Sequence, residues 1–129
     1  MREVIAPPLP GLDLRRHYGH HQSPAIRAGG LIFCSGMLPV NPVTGEREHG
    51  TLTQEAHRIF MNLKLLLESA GSSLEGLVQV HALIYDSIEY DVLNRVYRQH
   101  VPAGPPARTV WTARSEAGFK IQLDVVAAA

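Results

Sequence analysis

The chain has 129 residues, 45% of them hydrophobic, and its twelve Lys and Arg balance twelve Asp and Glu. This length fits one domain with an ample core, and a neutral surface exerts no general pull toward nucleic-acid phosphates or anionic lipid. A single cysteine, Cys34, excludes an intramolecular disulfide, the opening MREVIAPPLPGL lacks the apolar run of a signal peptide, and no stretch approaches the roughly 20 apolar residues of a membrane span, so the expected location is the cytoplasm.

Residues 1–22 hold prolines, glycines and a histidine cluster without a period, which predicts an extended N-terminal arm or loop on a single domain spanning 1–129. Two apolar runs then flank Gly29-Gly30 between Ala25 and Met37, a β-hairpin signal because glycine supplies the positive φ of a primed turn. PVNPVTGEREHG at 39–50 reads as a loop. Ala56, Ile59, Phe60, Leu63, Leu66, Leu67 and Ala70 recur at three- and four-residue steps, the apolar face of a helix, with Thr51 and Gln54 as a capping box and Gly71 as its stop.

Leu77 to Asp86 reads as a strand with Val78, Val80, Ala82 and Ile84 on one side and Gln79, His81 and Tyr85 on the other. Asp86 or Ser87 caps a second helix through about Val101, whose buried stripe is Tyr90, Leu93 and Tyr97 and which PAGPP at 102–106 terminates. Ala107 to Ala113 and Phe119 to Ala127 are two strands joined by RSEAG. This order predicts an α+β fold: a mixed sheet with two helices packed on one face. In the last strand Ile121, Leu123 and Val125 alternate with Gln122 and Asp124, which leaves the other sheet face for self-association or a site between subunits.

Three stretches resemble the Rid (YjgF) family. SPAIRAGGLIFCSGMLPVNPVTGE at 23–46 is similar to its N-terminal hairpin, Ser-Gly and Pro-x-Asn-Pro-x-Thr-Gly-Glu loop; YDVLNRVYRQHVP at 90–102 is similar to its second helix; PPARTVWTAR at 105–114 with FKIQLDVVA at 119–127 is similar to its Pro-Ala-Arg signature. They occur in order over nearly all the chain beyond residue 22. The resemblance implies a chorismate-mutase-like fold, a homotrimer and sites in clefts between subunits. It also implies hydrolysis of enamine and imine acids such as 2-aminoacrylate and 2-iminopropanoate to a 2-keto acid and ammonia, with no metal or organic cofactor.

Carried over residue by residue, the resemblance makes Arg108 the arginine of Pro-Ala-Arg, whose planar guanidinium suits a substrate carboxylate gripped through two parallel hydrogen bonds. Ser35 and Gly36 match the Ser-Gly pair, Asn94 the asparagine of the second helix, and the backbone N–H of Val110 is a further contact for the carboxylate. Gln122 stands where the family carries a glutamate that manages the attacking water; an amide orients a water but does not accept its proton. Asp124, two residues on and so on the same strand face, is placed to serve in part. Gln22 stands where the family carries a tyrosine. His17, Tyr18, His20 and His21 lie directly before it and offer acid–base groups or a substitute ring, a solvated loop being the plainer account. His17 and His20 have no partnering cysteine or helical spacing that supports a metal site. Cys34 is expected to be a buried, inert thiol and Trp111, on the opposite strand face from Arg108 and Val110, to pack.

Three functions stay open: an imine deaminase; a paralogue that binds small carboxylates in a specific pathway without general deaminase activity; and a ribonuclease or translation inhibitor, which the neutral charge and the lack of a basic, aromatic stripe disfavour.

Overall fold

The computed structural model describes every residue except Pro102 and Glu116, which fall in the segments expected to end the second helix and to join the last two strands. Strands β1 (Glu3–Ile5), β2 (Ala25–Ala28), β3 (Leu31–Cys34), β4 (Leu77–Ile84), β5 (Ala107–Thr112) and β6 (Ile121–Ala128) form one sheet in the order β1-β2-β3-β6-β4-β5. The α-helices are α1 (Leu14–Tyr18), α2 (Leu52–Ser69) and α3 (Tyr90–His100), with short 3-10 turns at Pro10–Leu12, Leu74–Gly76 and Ser87–Glu89. The sheet is mixed: β5 runs parallel to β4, and every other pairing is antiparallel.

The hairpin forms where the two glycines allow it. Gly29 (φ 57°) and Gly30 (φ 77°) take left-handed conformations, and this tight turn sets Ala28 opposite Leu31 and Ala25 opposite Cys34. Both arms of the α2 capping box are made, Gln54 N–H donating to Thr51 Oγ1 at 3.2 Å and Thr51 N–H to Gln54 Oε1 at 3.0 Å. The helix ends in a Schellman motif: Gly71 takes φ 82°, its N–H donates to Glu68 O at 3.2 Å, and Ser72 N–H donates to Leu67 O at 2.8 Å.

The core lies between one sheet face and the two long helices. Ile32, Val80, Ala82, Ile121 and Leu123 from the sheet meet Ala56, Ile59, Phe60 and Leu63 of α2 and Leu93, Val96 and Tyr97 of α3. Tyr90, expected on the α3 stripe, is 43% exposed because it stands in the first turn at the sheet edge, where its neighbour is β5 rather than the core. Val78, expected on the apolar side of its strand, faces outward as well. A register irregularity between Leu77 and Gln79 turns both Leu77 and Val80 inward and leaves Val78 46% exposed.

The N-terminal region is not a free arm. β1 pairs with β2, Ile5 opposite Ala25. Asp13 caps α1 by accepting from the N–H groups of Arg15 (3.2 Å) and Arg16 (3.4 Å), and Gly19 ends it at φ 68°. The region is pinned to the 39–50 loop at Gly11, where an added Cβ would sit 2.2 Å from Asn41 O. Open to solvent, the opposite sheet face carries Trp111 at 57% exposure, so the expected packing of this indole is not made within one chain.

Where α2 crosses α3, His57 Nδ1 and His100 Nε2 are 2.7 Å apart, and Phe60 stacks on the His100 ring with centroids 4.6 Å apart and planes 9° apart. Burial, and then the neighbouring His57, hold His100 below the ordinary histidine pKa. The unfolded chain therefore binds a proton that the folded chain resists. Stability contributed by this contact is complete above about pH 6.5 and is lost as pH falls through the lower folded value. Thermal unfolding between pH 7.5 and 5 should show a falling Tm, with a shallower fall in His100→Gln.

Candidate active site

Arg108 sits on β5 level with Val80 of β4 and so on the helix-covered side of the sheet, at its edge. Its Nη2 donates to Asn94 Oδ1 at 2.8 Å and to the Tyr90 hydroxyl at 3.1 Å. The guanidinium also lies over the Tyr97 ring, 4.7 Å from the centroid, and near that of Tyr90 at 5.6 Å. Positions 90, 94 and 97 share one helical face, which is why α3 presents all three groups to one arginine. Among the described residues neither Nε nor Nη1 has a hydrogen-bond acceptor. Tyr97 is buried, its hydroxyl without a partner among the described residues, and burial raises its pKa against the opposing effect of Arg108. Val110 follows two residues on, half-buried against the core. Of the residues singled out by the resemblance, Arg108 and Asn94 are thus in contact, and Val110 stands two positions along the same strand. Tyr90 and Tyr97 are additions; their spacing from Asn94 carried the signal, but only the position of β5 turned it into a contact.

Ser35, Gly36, Gln122 and Asp124 form a second group. A bridge between Met37 and Leu123, with Met37 N–H donating to Leu123 O at 2.7 Å, presses the chain after β3 onto β6. The absence of a side chain at Gly36 is required by this approach: a Cβ would lie 2.3 Å from Gln122 Nε2 and 3.1 Å from Asp124 Oδ1. Gln122 Nε2 donates to Asp124 Oδ1 at 3.4 Å, a long contact. Ser35 Oγ donates to Ser23 O at 2.6 Å, so toward a ligand it has only lone pairs to offer. Gln22 reaches only the Ser35–Gly36 side of this group, lining with them and Pro24 a largely apolar pocket walled by Leu12, Met37 and Leu66 that includes neither Gln122 nor Asp124.

Within one chain the two groups do not meet. Register pairs Val80 with Val125 and with Arg108 on the helix side, whereas Leu83 opposite Gln122 and His81 opposite Asp124 lie on the open side. Arg108 and Gln122 therefore project from opposite faces, with β4 between their strands.

The His17–His21 run is divided. The His17 ring contacts Pro10 O through Nε2 at 2.9 Å, and the Tyr18 hydroxyl donates to Gly45 O while Arg47 covers its ring at 4.5 Å. Tyr18 is thus committed to the 39–50 loop and does not replace the ring missing at Gln22. His20 alone reaches the second group, sharing a polar cavity with Gln122, Arg47 and Leu38. No three His, Cys, Asp or Glu side chains gather to hold a metal among the described residues.

A family model described as endoribonuclease L-PSP matches residues 16–129. The chain belongs to this family, the YjgF/Rid family. It is 38% identical to the mitochondrial protein mmf2 of Schizosaccharomyces pombe over 81% of this chain and 84% of that one. Among solved structures, an L-PSP family protein of Entamoeba histolytica superposes with a TM-score of 0.88 at 27% identity, covering 100% of both chains. RidA from an Antarctic Psychrobacter superposes with a TM-score of 0.81 at 26% identity, covering 85% of this chain and 89% of that one. The mixed sheet with its helices on one face is therefore the YjgF/L-PSP fold.

Cys34, next to the Ser35–Gly36 pair, is no nucleophile at neutral pH. Burial pushes its thiol up to about 12, which leaves about one thiolate in ten thousand at pH 8. Iodoacetamide at pH 8 should leave native Cys34 unmodified over a period that fully labels the urea-unfolded chain, as read by intact mass.

Proposed function

We propose that this Rid-family protein hydrolyses enamine and imine acids of the 2-aminoacrylate and 2-iminopropanoate type to a 2-keto acid and ammonia, at sites completed between neighbouring copies of a homotrimer. The observation that carries the proposal is Arg108. A cation held in place by Asn94, Tyr90 and Tyr97, with no acceptor on Nε or Nη1 among the described residues, is a ready anchor for a small carboxylate. Assembly is supported by the separation of the two groups, since Arg108 of one copy meets Gly36, Gln122 and Asp124 only if a second copy brings them.

In this site the chemistry runs on water and proton transfers. The enamine first becomes its imine, and protonation of the imine nitrogen makes the adjacent carbon electrophilic. Water adds to that carbon, the C–N bond breaks as ammonia leaves, and the oxygen stays as the keto group. Ser35 Oγ and the Gln122 amide hold the water, and Asp124, the one carboxylate in the group, takes its proton in the step that the Gln122 amide does not perform. His20 shares the cavity with Gln122 and adds an imidazole to its lining.

Gln122 supports a second reading, a paralogue that keeps the anchor and has lost water activation. The endoribonuclease description of the family brings a third, for which the neutral charge offers no electrostatic footprint. With freshly generated 2-iminopropanoate the protein should form pyruvate at least tenfold faster than buffer, and Asp124→Asn should lose most of that acceleration. Arg108→Ala should bind 2-oxobutanoate at least tenfold more weakly by calorimetry. Binding without acceleration points to the second reading, and unchanged binding in Arg108→Ala removes the first two.

A further inference from the structure

We infer that Tyr90 is a substrate-binding residue: its hydroxyl supplies the second prong of the carboxylate anchor, beside a single N–H of Arg108. This rests on the reading of Arg108 as a carboxylate anchor and refines it. A guanidinium offers a carboxylate two parallel forks, Nε with Nη2 and Nη1 with Nη2, and both include Nη2. Here Nη2 has two hydrogens and two protein acceptors, Asn94 Oδ1 at 2.8 Å and Tyr90 Oη at 3.1 Å. Neither fork is whole, so the two-pronged grip expected of Arg108 alone is not available to a ligand.

The missing donor is adjacent. Because the Tyr90 oxygen accepts from Nη2, its own proton points away from the arginine. The residue is 43% exposed, and that hydroxyl appears in no other hydrogen bond among the described residues. A carboxylate reaching the free Nη1 or Nε of Arg108 then has the Tyr90 O–H within reach of its second oxygen. One N–H and one O–H replace the two N–H groups of a bare arginine fork. Tyr90 also supplies a phenol that the other group lacks, where Gln22 stands and Tyr18 is bound to Gly45.

The test uses the full chain and 2-oxobutanoate as the probe, titrated by calorimetry against wild type, Tyr90→Phe, Arg108→Lys, Tyr90→Phe/Arg108→Lys and Arg108→Ala. Phenylalanine keeps the ring and removes the hydroxyl. Expected is about tenfold or greater weakening in Tyr90→Phe at unchanged Tm, in keeping with the loss of a hydrogen bond to a charged group. A further loss of at least threefold is expected when the same change is added to Arg108→Lys, whose ammonium has no Nη2 for Tyr90 to hold. Unchanged or tighter binding in Tyr90→Phe overturns the proposal, because a hydroxyl that merely occupied Nη2 would free the fork when removed. Weakening in the wild-type background with none in Arg108→Lys overturns it as well, since Tyr90 would then act only by orienting the arginine. Unchanged binding in Arg108→Ala sinks the anchor reading itself, an outcome distinct from the other two.

Discussion

The hydrogen bond from Arg108 Nη2 to Asn94 Oδ1 ties the proposed carboxylate anchor to the fold. A charge-assisted bond of this kind contributes roughly 1.5–3 kcal/mol when shielded from water, less where water competes. It works only if α3 lies at a fixed height over β5. That height is set below it: Tyr97 meets Phe60 edge-on at 5.9 Å, Phe60 stacks on His100, and His100 contacts His57. Leu93 and Val96 fill the remaining space against the sheet. The register of β5 sets the arginine's backbone, and the hydrophobic seam between α2 and α3 sets the groups that hold its side chain.

From the same sheet comes a second constraint. Arg108 and Gln122 leave opposite faces, so no single surface patch contains both groups. A twofold dimer joins one patch to itself, and a site needing two separate patches is made more naturally by a head-to-tail contact. Head-to-tail contacts either close into rings or run on as fibres. The proposed trimer is the small closed ring, and the uncovered Trp111 and Phe33, 57% and 44% exposed, are the kind of apolar surface such a contact would use.

How much of this was legible in the sequence depended on whether the cause lay near in the chain. Gly29-Gly30, the Thr51–Gln54 box and Gly71 each encode their own geometry, so the hairpin and both ends of α2 follow from adjacent residues. Asp13 and Gly19 encode α1 in the same way, but five residues among prolines give too few turns for a period to stand out. β1 has three residues and finds its partner some twenty residues later, which no local pattern reports. The outward turn of Val78 comes from a backbone irregularity invisible to an alternation of apolar residues. Resemblance singled out Arg108 and Asn94; it gave no hint of Tyr90, whose contact with Arg108 depends on where β5 lies beside α3.

The pairing of Gln122 with Asp124 bears on what the active site does with its water. Two carboxylates at these positions would share a strand face and repel, so that one would hold its proton. An amide at 122 removes that conflict: it donates to Asp124 and leaves a single negative charge beside Gly36. Gly36 is constrained by the same pair, because any Cβ would collide with the Gln122 amide and force it off Asp124. The departure from the family glutamate is thus matched by its surroundings. In the proposed reaction this would move the proton-accepting role one pleat along β6 and leave the oxygen at 122 to orient the water.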